Sequence, residues 1–98
     1  MANIKVPPHN DEAEESVLGA ILLDKDAVST VSQIIAPADF YNQINGIIFD
    51  SMLSLYEQGK PIDILTLKTH LKKQKGEIKI ESSYLTELVN AVPTAANV

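Results

Sequence analysis

Carboxylates are the groups of this chain best able to do chemistry, and Asp11, Glu12, Glu14 and Glu15 crowd one short stretch. Such a cluster could supply a general acid and base, or hold a divalent cation. An apolar run, Val17 to Leu23, follows directly, so the acids stand in the first turn of an expected helix. Exposed backbone amides and the helix dipole favour negative charge there, and the four acids read as a helix start. Asp24-Lys25-Asp26 has the opening spacing of a calcium loop, but Ser29 and Ile35 occupy the places of its glycine and glutamate. His9 and His70 are far apart in a chain with no cysteine, so neither a metal site nor a nucleophile–base pair can be written. Glycines at 19, 46, 59 and 76 match neither phosphate-binding loop. These residues predict a protein without an active site, cofactor or metal of its own.

Two features leave room for other readings. Asp50-Ser51-Met52 is close to the Asp-Ser-Leu motif at which small acidic carrier proteins receive a phosphopantetheine arm on serine. Their serine opens a helix, whereas Ser51 falls inside one, so the preferred reading is a small polar residue on the outer side. The second feature is a crowd of lysines: Lys60, Lys68, Lys72, Lys73, Lys75 and Lys79. Lys68, Lys72 and Lys75 share a helix face at spacings of four and three. That face could meet an acidic partner, could bind nucleic acid weakly through the Lys68–Lys79 region, or could simply be solvated. Against nucleic acid stand the formal net charge of -5 and the absence of arginine.

The elements that would position these residues are helical. The 98 residues suit one small core. Residues 1–10, with Pro7 and Pro8, read as an extended arm without the apolar segment of a signal peptide. Residues 11–98 read as one head domain. Ala13, Val17, Leu18, Ile21 and Leu22 form the stripe of a first helix. A second helix, starting near Asp24 to Asp26 and ending before Pro37, carries Val28, Val31, Ile34 and Ile35. After a turn with Phe40 and Tyr41 as core plugs, Asn42 caps a third helix, Gln43 to Gln58. This helix has a broad apolar face (Ile44, Ile47, Ile48, Met52, Leu55, Tyr56) and stops at Gly59. Asp63 is the expected N-cap of a fourth helix reaching about Lys75 before Gly76, with Ile62 and Leu67 placed as a hydrophobic staple. Glu77 to Glu81 is expected as loop. Ser82 and Ser83 are expected to cap a fifth helix with Leu85, Leu88, Val89 and Val92 inward, and Thr94 to Val98 looks like the start of another. The expectation is all-α, a compact bundle of about five or six short helices with no significant sheet. A sequence ending as a helix begins is expected to be a fragment of something longer. No apolar run approaches the roughly 18 residues of a membrane helix.

Several segments together resemble one family: "PPHNDEAEESVLGAILLD" (Pro7 to Asp24), "DFY" (Asp39 to Tyr41), Ile48 to Leu67 with "GKPIDILTL", "YLTEL" (Tyr84 to Leu88) and "PTAANV" (Pro93 to Val98). In this order, over nearly the whole chain, they look like the N-terminal domain of the DnaB-type bacterial replicative DNA helicase. The resemblance implies a non-catalytic helical head that pairs as dimers, builds the collar of a hexameric ring and docks the primase in cytoplasmic DNA replication at the fork. A helicase loader is a further partner it suggests. ATP, magnesium, unwinding and DNA contact belong, on this resemblance, to a following hairpin, linker and motor. The chain departs from the family where many members carry His-Arg, here Asn45 and Gly46. It departs again where many have a Gly-Gly turn before the Tyr-Leu, here "IKIESS". Both departures are expected on the surface.

On this reading Tyr84, at the edge of the last stripe, is the primase-contact candidate together with Lys68, Lys72 and Lys75. Ile47 and Phe49 are candidates for self-association. Gly19 is expected to let a second helix backbone come close, since alanine there would gain about 1 kcal/mol of helix propensity.

Overall fold

Asn42 sets where the longest helix begins: its side-chain oxygen accepts the Ile44 amide at 2.9 Å, ahead of α3 (Gln43–Glu57). The helix ends at Gly59, whose φ of 71° is the left-handed value that glycine adopts freely. Lys60 N–H then reaches back to the Leu55 carbonyl at 2.9 Å and Gly59 N–H to that of Tyr56 at 3.0 Å, the paired bonds of a Schellman stop. The same economy opens α4 (Ile64–Lys73). Asp63 Oδ1 accepts the Thr66 amide at 2.8 Å, and Thr66 Oγ1 accepts the Asp63 amide at 2.9 Å. Ile62 and Leu67, flanking this cap, are both buried in the common core.

The computed structural model describes residues 11–73 and 80–92. Besides α3 and α4 it contains α1 (Asp11–Leu23), α2 (Ala27–Ser32), a short 3-10 turn (Pro37–Asp39) and α5 (Ser82–Asn90), with no strand among the described residues. α3 lies against α1, α2, α4 and the 3-10 turn, and α5 packs on α1 and α4. Ile48, Phe49, Met52 and Leu55 of α3 meet Leu18 and Ile21 of α1, Leu67 of α4, and Leu85 and Leu88 of α5 in one buried cluster. Phe40 closes it from the loop, its ring centroid 5.3 Å from that of Phe49 and tilted by 42°.

The backbones of α1 and α5 approach closely at Gly19. A Cβ built on Gly19 would overlap the Leu88 carbonyl oxygen and lie 2.6 Å from Val92 Cγ2. Only a residue without a side chain allows the two backbones this contact. Ser16 Oγ, one turn earlier on α1, donates to the Ala91 carbonyl at 3.0 Å and ties the same crossing.

Several expectations need correction. Ala13 is exposed, because α1 turns that side to solvent before α5 and α3 reach it. α2 ends at Ser32, well short of Pro37; Ile34 is 75% exposed and outside the core. Tyr41 is not a core plug: Phe40 alone fills that place, and Tyr41 is 65% exposed. Tyr56 also lies outside, at the solvent edge of α3. Ser51, expected on the outer side, is wholly buried, as are Asn45 and Gly46, expected on the surface. The reason is common to all three: α3 is covered on more than one side, so small and polar positions between its apolar residues are covered too. Glu81, not Ser82 or Ser83, precedes α5, and no side chain caps it. The expectations for residues 1–10, including His9, for Lys75, Gly76 and the loop around Lys79, and for residues 93–98 lie outside the described residues.

Candidate functional site

Tyr84 lies on α5 with its ring packed against the edge of the core, and its hydroxyl donates to Asn45 Oδ1 on α3. Asn45 in turn donates through Nδ2 to Glu14 Oε1 at 3.0 Å. The order of donors is fixed by chemistry: a carboxylate can only accept, so the amide nitrogen faces Glu14 and the amide oxygen faces the tyrosine. Glu14 also accepts the backbone amides of Tyr41 at 2.7 Å and Asn42 at 3.3 Å. An acid of α1 thus sits at the positive end of α3, the favourable place for a negative charge and one that satisfies amides at the helix start. Burial in this site pushes the Tyr84 hydroxyl up to about 12, reinforced by the negative charge of Glu15 and opposed by the bond to Asn45. Glu15 is itself raised, by burial first and then by Asp11, Glu87 and the other acids of the first turn.

This chain of groups changes the meaning of two residue sets. Glu14 is more than a helix-start charge, since it holds three elements together. Tyr84 is not free to swing toward a partner, because its hydroxyl is engaged inward and the residue is only partly exposed. It lines an open groove with Ile44, Ile80, Glu81, Ser83 and Glu87. Lys68 approaches it from α4, its Nζ donating to Ser82 Oγ at 3.4 Å. Lys68 and Lys72 are exposed. Tyr84 and Lys68 are therefore brought to one end of α5, with lysine on one side and acids on the other.

The two self-association candidates part company. Phe49 is wholly buried against Phe40 and belongs to this chain's own core, so it cannot offer a surface. Ile47 is half-buried and lines a second open groove with Pro37, Phe40, exposed Tyr41, Gly46 and Asp50. Gly46, in the wall of this groove, lets the Pro37 carbonyl oxygen pack on α3, since a Cβ there would stand 2.6 Å from it.

Ser51 has no exposed atom in which a modifying enzyme could find a hydroxyl, which removes the carrier-protein reading. His70 is half-buried on α4, and the described residues contain no group of three or more His, Cys, Asp or Glu able to hold a metal ion. No helix among them is long and apolar enough to cross a membrane. Asn45, Gly46 and Glu14 are the residues that reading the sequence missed. A signal existed for Asn45: with Ile48, Phe49 and Met52 it falls at the spacing of the inward stripe, and a polar residue there requires partners.

The comparisons agree with the arrangement of helices. A family model described as the DnaB-like helicase N terminal domain matches residues 6–98. The chain is 41% identical to the replicative DNA helicase DnaC of Bacillus subtilis, with all of this chain and 22% of that protein aligned. It is 43% identical to the replicative DNA helicase DnaB of Geobacillus stearothermophilus, over 96% of this chain and 21% of that one. The chain thus spans about a fifth of the length of these relatives. Among solved structures, the N-terminal domain of the Mycobacterium tuberculosis DnaB helicase superposes with a TM-score of 0.80 at 38% identity, covering 94% of this chain and 67% of that one. The N-terminal domain of the Helicobacter pylori DnaB helicase, described with its interactions with primase, gives 0.61 at 29% identity over 82% of this chain and 76% of that one. With the helix order, the α1–α5 crossing and the capped α4 already in hand, a match from residue 6 to residue 98 places this chain in the family of DnaB-like helicase N-terminal domains.

Proposed function

We propose that this chain is a non-catalytic head of a replicative DNA helicase, acting in assembly of the ring and in docking of primase during cytoplasmic DNA replication. The observation that carries the reading is the family match over residues 6–98, and the primase part of it is supported by the likeness to a Helicobacter pylori DnaB N-terminal domain described with its interactions with primase. ATP, magnesium and DNA contact belong on this reading to other parts of the helicase, and a helicase loader is a further partner. On this chain the proposed docking surface is the end of α5 that carries Tyr84 and that Lys68 reaches, with Lys72 one turn further along α4 and Lys75 as a neighbour by sequence. Self-association falls to the Ile47 groove. Phe49 has no part in it.

The test is an NMR titration of the isotope-labelled chain with primase from the same organism. Saturable shifts centred on Tyr84, Lys68 and Lys72, weakened in a Lys68→Glu, Lys72→Glu variant, are expected. A folded chain that shows no shifts, or shifts only around Ile47, would refute the assignment of the docking surface. Titration with a single-stranded oligonucleotide separates the nucleic-acid alternative, which would bind with an affinity falling steeply as salt rises.

A further inference from the structure

Asn45 is the one asparagine of the sequence that is followed by glycine. We propose that Asn45–Gly46 is a deamidation site that the folded core holds shut, so that the reaction marks chains that have opened. In the reaction, the Gly46 amide nitrogen attacks the side-chain amide carbon Cγ of Asn45. A Cγ–N bond forms to Gly46, the Cγ–Nδ2 bond breaks, and Nδ2 leaves as ammonia with the proton that Gly46 nitrogen gives up. Water then opens the five-membered succinimide to aspartate or to isoaspartate. In sum, one amide and one water give one carboxylic acid and one ammonia. Glycine favours the step because no Cβ hinders the approach.

Every requirement of that attack is blocked in the folded chain. Gly46 N–H donates to the Asn42 carbonyl at 3.1 Å, so its nitrogen is engaged in the first turn of α3. Asn45 Nδ2 is held by Glu14 at 3.0 Å and its Oδ1 by the Tyr84 hydroxyl. The residue has no exposed surface through which water could enter. Reaction therefore requires local opening of α3 together with release from α1 and α5, and its rate follows the population of that open form.

The product does not fit back. Aspartate at 45 replaces the donor facing Glu14 with an acceptor, setting two carboxylates against each other with the acids Glu15 and Asp11 near the same site. Isoaspartate adds a backbone atom in the turn where Gly46 already packs on the Pro37 carbonyl without room for a Cβ. An opening that lasts long enough is thus recorded irreversibly.

The chain is incubated in mildly alkaline buffer with and without urea, and deamidation at Asn45 is followed by peptide mass mapping. The folded chain is expected to react about a hundredfold more slowly or less. Deamidated chains, separated and returned to native buffer, are expected to lose the cooperative melt of the starting protein. Tyr84→Phe, which keeps the ring and removes the hydroxyl, is expected to react about fivefold faster in native buffer and at an unchanged rate in urea. Equal rates with and without urea, an unaltered native rate in Tyr84→Phe, or deamidated chains that regain the original melt would each overturn the proposal.

Discussion

Replacing Gly19 by alanine tests the close contact of α1 with the α5 backbone with the smallest change available. On an isolated helix the substitution gains about 1 kcal/mol. Here the new methyl group would run into the Leu88 carbonyl oxygen and would sit 2.6 Å from Val92 Cγ2 and 2.8 Å from the Leu88 carbonyl carbon. Val92 can rotate away, but the peptide group of Leu88 lies within α5 and cannot move alone. The helix must back off as a body, loosening Leu85 and Leu88, which are wholly buried. Overpacking of this kind costs typically about 1–3 kcal/mol and sometimes more, and contact with a rigid backbone places it at the top of that range. After the propensity gain the net loss is about 2 kcal/mol, a fall in Tm of roughly 8–16 °C for a domain of this size. Thermal melts followed by circular dichroism and urea titration of both proteins measure it. A proper contrast is Gly59→Ala, where nothing lies within 4 Å but φ is 71°. That change is expected to cost about 1 kcal/mol through backbone strain alone. A Gly19→Ala protein as stable as the parent, or more so, would show that α1 and α5 do not meet as described; Gly19→Leu should then also be tolerated, whereas the structure requires it to unfold the domain.

Four further outcomes follow from the same geometry. Asp63→Ala removes the bond to the Thr66 amide and should lower stability by about 1 kcal/mol, read as a reduced urea midpoint at constant slope. Phe49→Ala should cost about 3–5 kcal/mol and abolish the folded signal at any protein concentration, whereas Ile47→Ala should leave the melt close to its original place and change only self-association, measured by sedimentation. Because the folded Tyr84 hydroxyl is pushed up to about 12 from an ordinary 10, the folded state keeps a proton the unfolded state has lost between those values. Its contribution is fully present below about pH 10 and is lost as pH rises toward 12, worth about 1–2 kcal/mol after solvent screening, so urea midpoints of the parent should fall more steeply over that range than those of Tyr84→Phe. Glu15, also raised, opposes folding once ionised, so Glu15→Gln should raise Tm at neutral pH and lose that advantage as the pH falls through the ordinary glutamate range.

What the sequence told well was local. Asn42, Gly59 and Asp63 act through bonds to residues a few positions away, and their residue types are those that make such bonds. The stripes of α1, α3 and α5 were legible at Leu18, Ile21, Ile48, Met52, Leu85 and Leu88 because each returns at the helical period. What failed was the far side of each helix. Ser51, Asn45 and Gly46 are polar or small, which on a single exposed helix means solvent; their burial depends on neighbours that arrive from distant parts of the chain. Tyr41 and Phe40 are adjacent aromatics, and only the direction of the loop after the 3-10 turn decides which of them enters the core. For the site, sequence named Tyr84 and Lys68, which the fold brings to one end of α5. It could not reveal that Glu14 and Asn45 fix the tyrosine hydroxyl from behind, since that depends on the packing of α1, α3 and α5.

The bond from Ser16 to Ala91 joins residues separated by 75 positions. During synthesis at roughly 5–20 residues per second, α1 is complete roughly 3–13 s before its partner helix is made. α2 and α3 can cover part of its apolar side sooner, but the notch at Gly19 is shaped for α5 alone and has nothing to receive until then. A nascent chain therefore carries a half-dressed first helix past the ribosome exit. α5 acts as a clasp, and the contact that closes it joins residues 75 positions apart, a long loop whose chain entropy is unfavourable.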